Sequence, residues 1–297
     1  MSHLLSPKSY QVQLADDNSV ANLINQGQTL LQASSDSAKL DVEILLSFVL
    51  DKERSYLLTW PEKILSDEQL HFFLQVLDRR IKGEPIAYIT GIKEFWSLPL
   101  AVSKATLIPR PDTETLVELV LEKFQSREHI HCLDLGTGTG AIALALASEK
   151  PTWKIDAIDF NVEAVALAQA NAKRCKLTHV NIFQSDWFSQ VAADTKFDLI
   201  VSNPPYIDVE DHNLKQGDVR FEPSSALIAN DHGLADIKHI ADIARDFLTE
   251  KGYLFFEHGF EQGDVVRDIL RNLGFVKPKT AKDLNGHDRI TWAIFKA

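Results

Sequence analysis

The chain has 297 residues, with 31 Lys and Arg against 42 Asp and Glu, a net charge of −11, and only two cysteines. That length holds one large domain or two ordinary ones, and 45% hydrophobic with 25% charged residues excludes wholesale disorder. No apolar run reaches the ~20 residues a membrane helix needs, and residues 1–17 lack the charged-then-apolar pattern of a secretory signal. Cys132 and Cys175 exclude a disulfide scaffold, and with scattered histidines they give no metal-ligand spacing. A soluble, cytoplasmic protein without a metal is expected.

Charge also bears on partners. Up to residue 105 there are 10 basic and 13 acidic residues, and beyond it 21 and 29. Neither part is basic, whereas proteins that grip nucleic-acid phosphates concentrate Lys and Arg. No direct nucleic-acid binding is expected.

The first hundred residues read as helices. One is predicted over Val20 to Leu31. A second carries Leu40, Ile44, Leu45 and Phe48 at helical spacing behind Ser37 as a cap. Ser66 and Gln69 form a capping-box pattern before Leu70, Phe73, Leu74, Leu77 and Ile81. These apolar stripes read as the core of a small bundle. Residues 84–110 mix Tyr88, Ile89, Phe95, Trp96, Leu98 and Val102 with Gly91 and Pro99, as in a hairpin or extended linker. A helix from Thr113 to Phe124 follows, with Asp112 as its N-cap.

Beyond residue 130 strands and helices alternate. Strands are predicted over 131–135, 154–158, 180–183, 197–201 and 253–257, and helices over 141–148, 162–173, 233–248 and 264–273. Residues 275–280 and 289–295 read as a closing strand pair joined through Asn285-Gly286. Alternation of this kind implies a mostly parallel sheet with helices on both faces and an antiparallel edge.

Two stretches carry chemistry. Asp134-Leu-Gly136-Thr137-Gly138-Thr139-Gly140 joins a strand to a helix, where glycines let a ligand approach bare backbone. Asp159 ends the next strand, where a carboxylate can accept both hydroxyls of a ribose. The spacing G-x-G-x-G departs from the G-x-G-x-x-G of dinucleotide binders, and no Gly-Lys-Ser/Thr follows as in a phosphate loop. Trp187 stands after the third strand; it either packs on a purine or closes a loop edge, and spacing leaves both open. The second stretch is Asn203-Pro204-Pro205-Tyr206, directly after a strand at the carboxyl edge of the sheet. An Asn oxygen and a proline carbonyl there can accept the two hydrogens of a planar NH2 group, while Tyr206 stacks on it.

The glycine loop resembles the first motif of S-adenosylmethionine-dependent methyltransferases of the seven-stranded Rossmann-like class, and Asn-Pro-Pro-Tyr resembles that of its amino-methyltransferases. Glu84-Pro-Ile-Ala-Tyr-Ile-Thr-Gly91, Pro109-Arg-Pro-Asp-Thr-Glu114, Phe221-Glu-Pro223 and Glu257-His-Gly259 extend the likeness over nearly the whole chain. Together they resemble the peptide chain release factor glutamine N5-methyltransferase family. The resemblance implies transfer of a methyl group from S-adenosylmethionine to the glutamine of the Gly-Gly-Gln loop of class I release factors. It also implies a helical substrate-recognition domain over 1–83, a linker over 84–110 and a methyltransferase domain over 111–297. Gly136, Thr137, Gly138, Thr139, Gly140, Asp159, Trp187 and Asn203 would bind cofactor; Asn203, Pro204, Pro205 and Tyr206 would hold the amide, with Asn203 and Tyr206 catalytic. Residues 207–230 are expected to form part of the substrate cleft, with Glu222 read first as a solvated loop acid. Arg110 and Glu114 link the domains or shape the site.

The rival readings are a nucleic-acid exocyclic-amine methyltransferase and a non-enzymatic binding module on the same fold. Acidic charge counts against the first and the intact motifs against the second.

Overall fold

The computed structural model of the protein describes residues 17–296; the secretory-signal reading therefore falls almost wholly outside the described residues. The chain divides into two compact units, one ending at Thr90 and one running from Gly91.

The first unit is helical: α1 (Val20–Leu31), α2 (Ala38–Leu50), α3 (Arg54–Thr59), α4 (Asp67–Ile81) and α5 (Ile86–Thr90). The α4 capping box forms as expected, with Ser66 Oγ accepting Gln69 N and Gln69 Oε1 accepting Ser66 N. Ser37 precedes α2 but makes no side-chain cap bond. Its hydroxyl is committed to Asp41, which is 5% exposed and also takes Ser35 Oγ at 2.8 Å and Arg80 Nε at 2.7 Å. The α2 stripe is also rotated from expectation. Leu45 is buried, but Leu40 and Phe48 are each 39% exposed, and Val42, Leu46 and Leu50 fill the core instead. Helix α2 is apolar on nearly every side, so periodicity selects no face; packing against α1 and α4 does. The segment expected to be extended from residue 84 instead contains α5.

The second unit opens with an antiparallel hairpin, β1 (Ile92–Phe95) and β2 (Leu98–Ala101), turned by Trp96 and Ser97 at positive φ. Then come α6 (Pro111–Lys123), β3 (His131–Leu135), α7 (Ala141–Glu149), β4 (Lys154–Asp159), α8 (Val162–Arg174), β5 (Asn181–Gln184) and β6 (Phe197–Ser202). After three short 3-10 turns the chain continues through α9 (Asn230–Gly233), α10 (Ala235–Phe247), β7 (Leu248–Glu257), α11 (Gly263–Asn272), β8 (Val276–Lys282) and β9 (Asp288–Ile294). Helix α6 begins two residues earlier than expected. Arg110 is its N-cap, Pro111 occupies the first turn, where its missing N–H costs nothing, and Asp112 lies inside that turn near the positive dipole end.

The seven strands lie in the order β5-β4-β3-β6-β7-β9-β8. The first five pair in parallel, and β9 joins antiparallel to both β7 and β8. This is the seven-stranded sheet with an antiparallel edge that the alternation implied. One face packs α6, α7 and α8 around Leu116, Val120, Leu144 and Ala168. The other packs α10 and α11 around Ile237, Ile240, Val266 and Leu270. Strand β3 is the middle one of the five parallel strands, so the loop that follows it opens at the centre of their carboxyl edge.

Candidate active site

The glycine loop leaves β3 with Gly136, Gly138 and Gly140 all at positive φ, +73°, +56° and +85°. Backbone groups hold its course: Thr137 N donates to Ile158 O at 2.8 Å, and Gly138 N to Asp159 Oδ2 at 2.9 Å. Gly140 heads α7, and a Cβ there would stand 3.1 Å from Leu144 and 3.3 Å from Ala168. It is thus a close-packing position as well as a left-handed one. Asn171, fully buried on α8, donates to Thr139 O and Ala101 O and accepts Ala101 N, tying loop, helix and hairpin together.

These ends surround a cavity of about 440 Å³, within the range of small-molecule sites. Gly136, Thr137, Gly138 and Thr139 line it on one side, with Asp159 and Trp187 beside them and Asn203 and Pro205 at the end of β6. Gly140, Pro204 and Tyr206 are not among its lining residues. Asp159 uses each carboxylate oxygen once, Oδ2 for Gly138 N and Oδ1 for Asn161 N. A carboxylate accepts about four hydrogen bonds, which leaves capacity toward the cavity; burial pushes its pKa up. Trp187 is at positive φ, its ring edge 3.8 Å from where a Gly136 Cβ would be.

The far wall comes from residues 105–110, and it is fastened from the loop after β6. Glu222 Oε1 accepts Ile108 N at 3.0 Å, and Oε2 accepts Arg110 Nη2 at 2.5 Å. Its side chain is fully shielded, so the reading of Glu222 as a solvated acid is corrected. The segment 207–230 folds back through its 3-10 turns, and this brings the carboxylate under the wall. Glu114 does not line the cavity; its Oε1 accepts Trp96 N and joins α6 to the hairpin.

The Asn-Pro-Pro-Tyr turn is held from behind. Ser202 Oγ donates to Leu135 O at 2.8 Å, which locks the end of β6 to β3. Asn203 Nδ2 donates to Thr113 Oγ1 at 3.3 Å, and the Tyr206 hydroxyl to Glu257 Oε1 at 3.5 Å. Gln262 Nε2 donates to both Tyr206 O and His232 O, at 3.1 Å each. Gly233 passes so close that a Cβ would lie 2.0 Å from Tyr206 O. Only glycine tolerates that approach.

Two carboxyls behind the loops are fully buried. Burial pushes Asp134 and Glu257 each up to about 7. Asp134 Oδ2 takes Thr137 Oγ1 at 2.6 Å and Ala143 N at 3.3 Å. The Tyr206 hydroxyl is raised by burial and by Glu257. Thr113, Asn171, Glu257 and Gln262 escaped the residue-by-residue reading, although two lie in stretches already singled out, Pro109 to Glu114 and Glu257 to Gly259. Among the described residues there is no cluster of metal-ligating side chains, and no helix is long and apolar enough to cross a membrane.

Comparison with known proteins adds an independent line. The family described as the PrmC N-terminal domain matches residues 22–91, and that described as the methyltransferase small domain matches residues 110–226. Release factor glutamine methyltransferase from Vibrio cholerae is 56% identical over 269 residues, 91% of this chain and 94% of that protein. The proteins of the same name from Shewanella oneidensis and Escherichia coli are 54% and 51% identical, over 94% and 88% of this chain and 96% and 93% of theirs. Among solved structures, a methyltransferase from Pyrococcus furiosus superposes with a TM-score of 0.52 at 20% identity, covering 74% of this chain and 97% of that one. The hMettl16 catalytic domain, solved with the MAT2A 3'UTR hairpin 6, gives 0.55 at 16%, covering 71% and 80%. These two likenesses show the fold alone.

Proposed function

The chain belongs to the release factor glutamine methyltransferase family, and we propose that its Asn203 to Tyr206 turn presents the glutamine amide of a class I release factor's Gly-Gly-Gln loop to S-adenosylmethionine. The enzyme is an S-adenosylmethionine-dependent protein methyltransferase that acts on release factor glutamine. The observation that carries the residue assignment is Asn203: it lines the cavity opposite the glycine loop while its Nδ2 is occupied by Thr113. Its Oδ1 is thereby the atom offered to an incoming NH2 group.

The cavity suits the cofactor. Left-handed glycines expose backbone, Asp159 has acceptor capacity for a ribose, and Trp187 offers a flat face. Gly136 to Thr139, Asp159, Trp187 and Asn203 would hold it, with Gly140 packing the turn onto the helices behind, and when bound it supplies a methyl group activated on a sulfonium. A conjugated amide nitrogen is a weak nucleophile, so the residues must act by position. Asn203 Oδ1 and a carbonyl of the Pro204-Pro205 unit accept the two amide hydrogens, which turns the nitrogen face toward the methyl carbon. Tyr206 packs against the amide plane. Such orientation contributes up to roughly 7–11 kcal/mol of barrier lowering. As the N–C bond forms, the methyl–sulfur bond would break to leave a neutral thioether, and the nitrogen's surplus proton would leave along its hydrogen bond to Asn203 Oδ1 or the proline carbonyl and pass to solvent. Arg110 and the wall held by Glu222 border the cavity on one side.

The N-terminal unit, which ends at Thr90, serves substrate recognition, and residues 111–297 carry the chemistry. The net charge of −11 supports a protein acceptor over a nucleic acid, and two free cysteines support a reducing cytoplasm. The test is Asn203→Ala under single-turnover conditions, with cofactor affinity measured in parallel. Transfer slows by ~10²–10³, the loss typical of one preorganised contact, and by more than any accompanying loss of cofactor affinity. Wild-type turnover would remove Asn203 from the site.

A further inference from the structure

Glu257 has no part in the mechanism above, yet it faces three residues of the turn and its support. It ends β7 and is 1% exposed. Its Oε1 receives the Tyr206 hydroxyl at 3.5 Å, and Oε2 has no well-formed partner among the described residues. Thr113 and Asn203 stand near enough to favour the ionised carboxyl, although neither reaches it with hydrogen-bond geometry. Asn203 Nδ2 in turn donates to Thr113 Oγ1 at 3.3 Å.

These contacts fix a direction. An ionised carboxylate only accepts hydrogen bonds. The Thr113 hydroxyl accepts from Asn203, which leaves its own proton to turn toward the nearby carboxylate. The carboxamide must then turn its NH2 toward Thr113 and Glu257 and its oxygen toward the cavity. Resting on the reading of Asn203 as the acceptor of the substrate NH2, we propose that Glu257 is a positioning residue whose carboxylate, directly and through Thr113, sets the orientation of the Asn203 side chain and anchors Tyr206. It touches neither substrate nor cofactor in this role.

Protonation reverses the relay. A neutral carboxyl can donate to Thr113, whose hydroxyl then donates to Asn203, and the side chain turns an NH2 toward the NH2 of the substrate. Two donors face each other and the amide is no longer held. Burial raises this carboxyl to about 7, so the switch falls near neutrality. The other groups acting on it are Tyr206 after β6, Asp112 on α6 and Arg289 on β9. Arg289 favours the ionised form, while Asp112 opposes it.

The test is kcat against pH from 5.5 to 9 at saturating S-adenosylmethionine and release factor. Wild type is expected to show an acidic limb near 7, with kcat falling about tenfold per unit below it. Glu257→Gln, whose amide can donate or accept, is expected to lose the limb and at least tenfold in kcat at pH 8, while KM and cofactor affinity stay within about twofold. Thr113→Val is expected to lose kcat similarly, and Thr113→Ser to regain it to within about threefold of wild type. The Thr113 pair decides the matter should Glu257→Gln not fold. Retention of the wild-type kcat and limb in Glu257→Gln, or equal loss in Thr113→Ser and Thr113→Val, would overturn the proposal. If Asn203→Ala is crippled while Glu257→Gln and Thr113→Val resemble wild type, this inference alone fails. An unimpaired Asn203→Ala removes the reading beneath it.

Discussion

Arg110 Nη2 and Glu222 Oε2 meet at 2.5 Å although 112 residues separate them in the chain. The pair joins the start of α6 to the long loop after β6, and Glu222 binds the backbone of Ile108 on the same wall. The two partners are not equally shielded. The Glu222 side chain is fully buried, whereas that of Arg110 is 32% exposed.

That asymmetry predicts unequal costs. Arg110→Met strands a buried carboxylate and is expected to lose ~2–4 kcal/mol of stability, somewhat under the range for fully buried pairs. Glu222→Gln leaves a partly solvated guanidinium and keeps the contact to Ile108 N, so its loss should be about half as large. Urea denaturation of the two variants measures both, and an equal or reversed order would contradict the placement of Glu222.

Much of the second unit was legible in the sequence. Alternating apolar segments marked the strands, and the glycines between 136 and 140 marked the turn that opens the cavity. What escaped came from packing. Helix α2 is apolar on so many sides that its stripe could not choose between Phe48 and Leu46. Glu222 looks like a loop acid until the turns over 212–226 carry it beneath Ile108. Asp112 looks like a cap because Pro111 normally marks a boundary, yet Pro is also favoured at the first helical position. Thr113 and Glu257 sat within quoted motifs but gained a role only when β7 and α6 were seen to converge on Asn203.

Asp159 offers a direct test of the cofactor pocket. Both its oxygens are aligned by backbone donors, Gly138 N and Asn161 N, so the carboxylate is preset rather than mobile. Asp159→Ala should weaken S-adenosylmethionine binding by ~1.5–3 kcal/mol, the worth of hydrogen bonds to a charged acceptor. Isothermal calorimetry checks it, and unchanged affinity would place the ribose elsewhere.

Asp134 predicts a pH dependence of stability. Its folded pKa is raised from 3.8 to about 7 by burial, so the folded state holds the proton more tightly than the unfolded chain. The stabilisation is fully present below pH 4 and is lost as pH rises through 7. At about 1.4 kcal/mol per unit, the loss from this group amounts to a few kcal/mol. Asp134→Asn should therefore show a smaller fall in unfolding free energy between pH 5 and pH 8 than wild type, by chemical denaturation at each pH. Parallel pH profiles for the two proteins would contradict the assignment.

The central claim is that this cavity and its Asn-Pro-Pro-Tyr turn methylate one glutamine amide in a release factor. The most direct measurement is transfer from methyl-labelled S-adenosylmethionine to a purified class I release factor, beside its Gly-Gly-Ala variant, with mass spectrometry locating the label. The account predicts one methyl group on the side-chain nitrogen of the Gly-Gly-Gln glutamine and none on the variant. Label on another residue, or equal labelling of both proteins, would contradict it.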